Sequence, residues 1–88
     1  MAMTEFKWNP LKNERLKRTR GISFEEIIKA ELMVVRDHPR LAHQSFMLFW
    51  HKGYIWFVPF VLTNDQIFLK TIYQSRKYTK SYKKGELP

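Results

Sequence analysis

The chain contains no cysteine. That absence excludes a disulfide scaffold, a thiolate metal cage and a cysteine nucleophile, and it removes any argument for an oxidising compartment. Glycine is nearly as scarce. The three glycines, at positions 21, 53 and 85, are too few and too dispersed to build a phosphate-cradling loop, so nucleotide hydrolysis is excluded. Long apolar runs are missing as well. The longest, Tyr54 to Leu62, has nine residues, about half of what a membrane-spanning helix needs. No membrane association is expected from it. Residues 1–8 carry Glu5 and Lys7 and lack the apolar stretch of a secretory leader, so the cytoplasm is the expected location. Histidines are few and scattered, at 38, 43 and 51, without the tight spacing of metal ligands; neither a metal nor a cofactor is expected. Acids are scarce too. Eight Asp and Glu stand against sixteen Lys and Arg, a net charge of +8, and such a balance attracts polyanions. Charge alone does not choose among RNA, DNA, the ribosome and anionic lipid.

What the chain has in quantity is apolar and aromatic surface, 44% and 16% of its 88 residues. A composition this apolar offsets its ordering entropy by burial, so the chain folds, and residues 1–88 are read as one domain. A chain of this size buries a modest core. A homodimer and a hetero-oligomer both stay open.

The order of signals predicts an α+β fold. Residues 3–8 read as a short strand, and Asn9-Pro10 is an N-cap followed by a first-turn proline. A helix from Pro10 to Arg20 should end at Gly21. Ser23 with Glu26 is a capping box, and Ile22 with Ile27 a hydrophobic staple, so a second helix begins at Phe24. Its apolar face would include Phe24, Ile27, Ile28 and Leu32. From residue 33 the pattern turns to strands: Met33 to Arg36, a loop at Asp37-His38-Pro39-Arg40, then an antiparallel meander. The meander strands are Ser45 to Trp50, Tyr54 to Leu62 and Ile67 to Tyr73, with turns at Lys52-Gly53 and Thr63 to Gln66. Pro59 lacks a donor, so its strand is at an edge or bulged at that point.

Pairing Trp50 with Ile55 and Leu62 with Ile67 puts Phe46, Leu48, Trp50, Ile55, Phe57, Val61, Phe68 and Ile72 on one face. Met47, Phe49, Tyr54, Trp56, Val58, Phe60, Leu69 and Tyr73 fall on the other. Both faces are apolar. Two helices cover one of them, which leaves the second for a partner, for the 33–44 segment or for the tail.

Charge concentrates in two stretches. Lys12, Arg15, Lys17, Arg18 and Arg20 lie on the first helix; Lys70, Arg76, Lys77, Lys80, Lys83 and Lys84 lie toward the C-terminus, with no acid between Asp65 and Glu86. The second group alternates with Tyr73, Tyr78 and Tyr82, and cations interleaved with aromatic rings suit single-stranded nucleic acid. RNA cleavage fits this inventory because the attacking group is the RNA's own 2′-hydroxyl. The protein then needs only a cation for the phosphorane charge and groups to move protons. Arg76 offers the cation; Tyr82, Tyr78, Lys70 and His51 are the proton-transfer candidates. Lys77, Lys80, Lys83, Tyr78, Arg18 and Arg20 are the candidate RNA contacts.

Trp8-Asn9-Pro10-Leu11-Lys12-Asn13, Gly21-Ile22-Ser23-Phe24-Glu25-Glu26 and Ile72-Tyr73-Gln74-Ser75-Arg76-Lys77-Tyr78-Thr79-Lys80 together resemble the BrnT family of bacterial toxins. That family is similar in fold to the RelE ribonuclease toxins. The resemblance runs from about Phe6 to Tyr82 and implies a RelE-like ribonuclease that halts translation. It further implies a ribbon-helix-helix antitoxin as partner and operator DNA bound only through that antitoxin. Arg76 matches the family's arginine after the last strand, with Lys77 beside it, and Tyr82 or Tyr78 is the aromatic residue beyond it. Two positions depart from the family: Arg20, where histidine is frequent, and Thr71, where a basic residue is frequent and Lys70 is the nearest substitute.

Three readings follow. The first is a metal-independent ribonuclease toxin, free or ribosome-associated. The second is a non-catalytic nucleic-acid- or ribosome-binding module, and the third an interaction subunit for an acidic partner.

Overall fold

The computed structural model describes residues 5–37 and 44–87. They form β1 (Glu5–Lys7), α1 (Pro10–Arg20), α2 (Phe24–Ile27), β2 (Glu31–Asp37), β3 (Gln44–His51), β4 (Tyr54–Thr63), β5 (Gln66–Leu69), β6 (Tyr73–Gln74) and α3 (Arg76–Lys83). One sheet runs in the order β1-β5-β4-β3-β2, and β6 also pairs with β4. β1 is parallel to β5; the other pairings are antiparallel. The expected α+β architecture holds. His38, Pro39, Arg40 and His43 lie outside the described residues, as do positions 3 and 4 of the expected first strand.

Local signals set the first half. Asn9 Oδ1 accepts from Leu11 N at 2.8 Å and Lys12 N at 3.2 Å, Pro10 opens α1, and Gly21 closes it at φ 65°. Ser23 Oγ accepts from Glu26 N at 3.0 Å, but the Glu26 carboxylate turns instead to His51 and Lys52. Only half of the capping box forms. α2 is a single turn, shorter than the helix expected from Phe24 through Leu32. Residues from Glu31 onward gain a ladder against β3, and Leu32 pairs with Phe49 there, half exposed. Strand pairing outweighs the helical spacing of one leucine.

Asn13 joins the two helices. It is 4% exposed; its Oδ1 accepts from Phe24 N at 2.8 Å and its Nδ2 donates to Glu25 Oε1 at 2.6 Å. Asn13 therefore fixes the angle at which the chain enters α2.

The meander has the expected register, Trp50 with Ile55 and Leu62 with Ile67. Its two hairpin turns place Lys52, Gly53, Asn64 and Asp65 at positive φ, the backbone that two-residue hairpins require. The last strand departs from expectation. β5 pairs with β4 as far as Leu69–Phe60, and pairing resumes one register later at Tyr73–Phe57. Val58 and Pro59 thus face Lys70, Thr71 and Ile72. The Pro59 carbonyl accepts from Lys70 N at 2.8 Å, on the side where proline has no donor to return. The result is a β-bulge, and the extra residue turns the pleat over. Ile72, expected beside Phe57, is buried with Leu16, Trp56 and Val58 instead. Tyr73, expected with Trp56, stacks on Phe57 at 5.1 Å.

Both sheet faces are covered. Met47, Phe49, Trp56, Val58, Phe60 and Leu69 pack against Leu16, Ile22, Phe24 and Ile27 of the first helices and their connection. On the other face Val34, Phe46, Leu48 and Ile55 lie under Tyr78, Tyr82 and Leu87, with the Tyr82 ring 4.4 Å from that of Trp50. The apolar surface that the sequence left open to a partner is covered by the chain's own tail. Tyr78, Thr79 and Tyr82 share the inner side of α3, and the buried Thr79 hydroxyl accepts from Ile55 N at 2.9 Å while donating to Ser75 O at 2.6 Å. No helix among the described residues is long and apolar enough to cross a membrane.

Removing the Asn13 amide leaves Phe24 N without its partner in a buried place. Asn13→Ala is expected to lower unfolding stability by about 1–3 kcal/mol, read from the midpoint of urea denaturation.

Candidate functional site

α3 has two sides. Tyr78, Thr79 and Tyr82 face the sheet, whereas Arg76, Lys77, Lys80, Lys83 and Lys84 are exposed. Ser75 Oγ caps the helix by accepting from Tyr78 N at 3.1 Å. Its first turn carries Arg76 and Lys77 and no acid. Cations there oppose the helix dipole, at a cost of roughly 0.3–1 kcal/mol each. Among the described residues none of these five cations forms an ion pair with an acid. Pairing within the described residues does not offset that cost.

A cleft of ≈ 540 Å³ is lined by Arg76, Lys77, Lys80, Thr79 and Tyr54. A second, of ≈ 330 Å³, is lined by Arg20, Trp56, Tyr73 and Gln74. Gln74 and Arg76 are two residues apart, so the start of α3 walls the first cleft and the end of β6 the second. The bulge shapes the second cleft. Arg20, the last residue of α1, reaches across to the bulged chain, where its Nη1 donates to Ile72 O at 2.5 Å and to Thr71 Oγ1 at 3.5 Å. Arg20 and Thr71, the two positions that depart from the family pattern, are therefore in contact. Tyr73 flanks them. Burial first, and Tyr78 second, push its phenol above the ordinary range, while Arg20 pulls it down.

The other candidates are spread more widely. Lys83 continues the exposed face of α3, and Arg18 is exposed in the last turn of α1. Lys70 stands at the bulge with its Nζ 5.8 Å from the centre of the Phe68 ring. Tyr78 and Tyr82 pack against the second sheet face. His51 Nε2 donates to Glu26 Oε2 at 2.6 Å and lines a separate cleft with Ser23, Glu25, Lys29 and Ala30. The structure thus brings Arg76, Lys77 and Lys80 together in one cleft and places Arg20 in the other; it brings His51 to neither. Tyr54, Trp56, Tyr73 and Gln74 complete the clefts and were not singled out as site residues by the sequence. The aromatic–cation alternation pointed to Tyr73; nothing local pointed to the others. Among the described residues no group of histidines and carboxylates is arranged to hold a metal ion.

The fold is similar to that of the Brucella abortus ribonuclease toxin BrnT, known from a crystal structure. The likeness covers 83% of this chain and 97% of that one, with a TM-score of 0.56 and 15% sequence identity. The chain has a BrnT-like fold. No family model matches its sequence, and no curated protein matches it.

The cluster around Glu26 has a consequence for acid stability. The His51 hydrogen bond, then that of Lys52 at 2.9 Å, hold the Glu26 carboxyl below the ordinary carboxylate range. A lowered folded-state pKa gives stability that is present above the unfolded value and is lost as pH falls through the folded one. Thermal midpoints measured from neutral pH into the acid range should therefore fall, and Glu26→Gln should flatten that fall.

Proposed function

We propose that this protein is a ribonuclease toxin of a toxin–antitoxin pair, acting on RNA in the cytoplasm without a metal. The observation that carries the reading is a set of cations without acidic partners, Arg76, Lys77 and Lys80, lining one cleft of a fold similar to that of a ribonuclease toxin, with Arg20 lining a second. The phosphate of the RNA binds the forked guanidinium of Arg76. The 2′-hydroxyl attacks the adjacent phosphorus, a bond forms from O2′ to phosphorus and the bond to O5′ breaks. Products are a 2′,3′-cyclic phosphate and a free 5′-hydroxyl. Arg76 stabilises the extra charge on the phosphorane oxygens. The 2′ proton passes to water; Tyr73, whose phenol stays protonated at neutral pH, is the candidate to supply one to O5′, and Lys70, exposed at the bulge, adds a cation for the phosphate. A ribbon-helix-helix antitoxin is the proposed partner, with operator DNA reached only through it.

A second reading, a non-catalytic RNA- or ribosome-binding module, is favoured by the placement of His51, Tyr78 and Tyr82. All three are engaged in pairing or packing, and none lines the cleft of Arg76 or that of Arg20.

Induced expression in a bacterial host, with growth and RNA integrity followed together, separates the two. Wild type should arrest growth and fragment RNA. Arg76→Ala should lower cleavage by about 100-fold or more while keeping the fold, and Tyr82→Phe should retain cleavage. Intact RNA with folded wild-type protein would favour the binding module. Binding through Arg76, Lys77, Lys80 and Lys83 should also give a slope of about −3 in log affinity against log salt for single-stranded RNA, measured by fluorescence anisotropy.

A further inference from the structure

Tyr54 opens β4 and pairs with His51 across the hairpin. Its neighbours Ile55 and Trp56 are buried at 0% and 4% exposure, yet Tyr54 is 45% exposed. Tyr73, Tyr78 and Tyr82 each stack on another ring of the protein. Among the described residues Tyr54 has no ring partner and its hydroxyl no hydrogen bond. It is an aromatic ring left open to the cleft that Arg76, Lys77 and Lys80 line.

A tyrosine kept for packing would lie under the chain, as Tyr78 does. A tyrosine kept for solubility would have no reason to share a cleft with three cations. The cleft volume, ≈ 540 Å³, falls in the range of about 300–1,000 Å³ typical of small-ligand sites and has room for one nucleobase with its phosphate. Cations that hold a backbone beside a ring on which a base lies flat are the usual means of holding single-stranded nucleic acid. We infer that Tyr54 is a base-stacking platform, holding one unpaired nucleobase of the RNA against its ring while Arg76, Lys77 and Lys80 hold the phosphate next to it. This inference rests on the proposed RNA substrate and adds a specificity: the bound nucleotide must be unpaired, because a base inside a duplex presents no free face to the ring. Stacking also fixes the sugar of that nucleotide relative to Arg76. Tyr54 is thus a positioning residue that selects single-stranded RNA.

The test uses the full chain and a short, fluorescently labelled single-stranded RNA made uncleavable by 2′-O-methylation, together with the same strand carrying abasic sites. Wild type should bind the strand with bases about tenfold more tightly than Tyr54→Ala does. Tyr54→Phe, which keeps the ring and loses the hydroxyl, should bind like wild type. On the abasic strand all three proteins should bind alike, since only the phosphates remain to be held. Circular dichroism and urea midpoints establish that the variants are folded. Equal binding of the strand with bases by wild type and Tyr54→Ala would overturn the platform and leave the ribonuclease reading standing. Failure of folded wild type to bind or cleave any RNA would overturn that reading, and the platform with it.

Discussion

A missing hydrogen-bond donor at Pro59 organises this molecule. Proline in the middle of the longest strand cannot complete the ladder on the side of β5 and β6, and the chain there bulges by one residue. That single extra residue turns Ile72 inward to the core beneath α1 and turns Tyr73 outward onto Phe57. It also presents the Ile72 carbonyl and the Thr71 hydroxyl to Arg20. An unbroken strand would keep Tyr73 on the other face and leave Arg20 without its partners. The second cleft is a product of the bulge.

The segments that look most like sequence motifs turn out to be the joints of the fold. Asn13, from the first, holds Phe24 and Glu25, from the second. Ser75 and Thr79, from the third, cap α3 and bind it to Ile55 of β4. Each joint is a short polar side chain that satisfies a backbone group where two elements meet, and an unsatisfied group in such a place is costly. Arg76 and Lys77 occupy the same segment without taking part in any joint. Within the third motif, structural and chemical demands fall on different residues.

Signals that act within a few residues were legible in the sequence. Asn9-Pro10 and Gly21 bound α1, and the two tight turns set the register of the meander, because caps and turns depend on their own side chains. The length of α2 was not legible, since β3 competes for the residues beyond it. Nor was the role of the tail. Tyr78 and Tyr82 carried the signature of stacking platforms, and the sheet across from them, over twenty residues away in the chain, is what makes them packing residues. Pro59 announced a bulge without saying that Ile72 and Tyr73 would exchange faces. The cations of the site could be read directly, because they lie together on one helix. Its remaining walls, Tyr54, Trp56 and Arg20, come from β4 and α1, and only tertiary structure brings them there.

The covering of the second sheet face by α3 has a temporal side. Everything in the core beneath α1 and α2 precedes residue 73 in the chain, so that half of the molecule can form before α3 docks. The cationic surface exists only after residues 76–83 have emerged and Tyr78 and Tyr82 have docked on Phe46, Phe57 and Trp50. Until then the sheet shows an apolar face to its surroundings, and the organised cations are those of α1. A chain whose last helix is undocked is both basic and sticky, and the docking of α3 is what hides the apolar face.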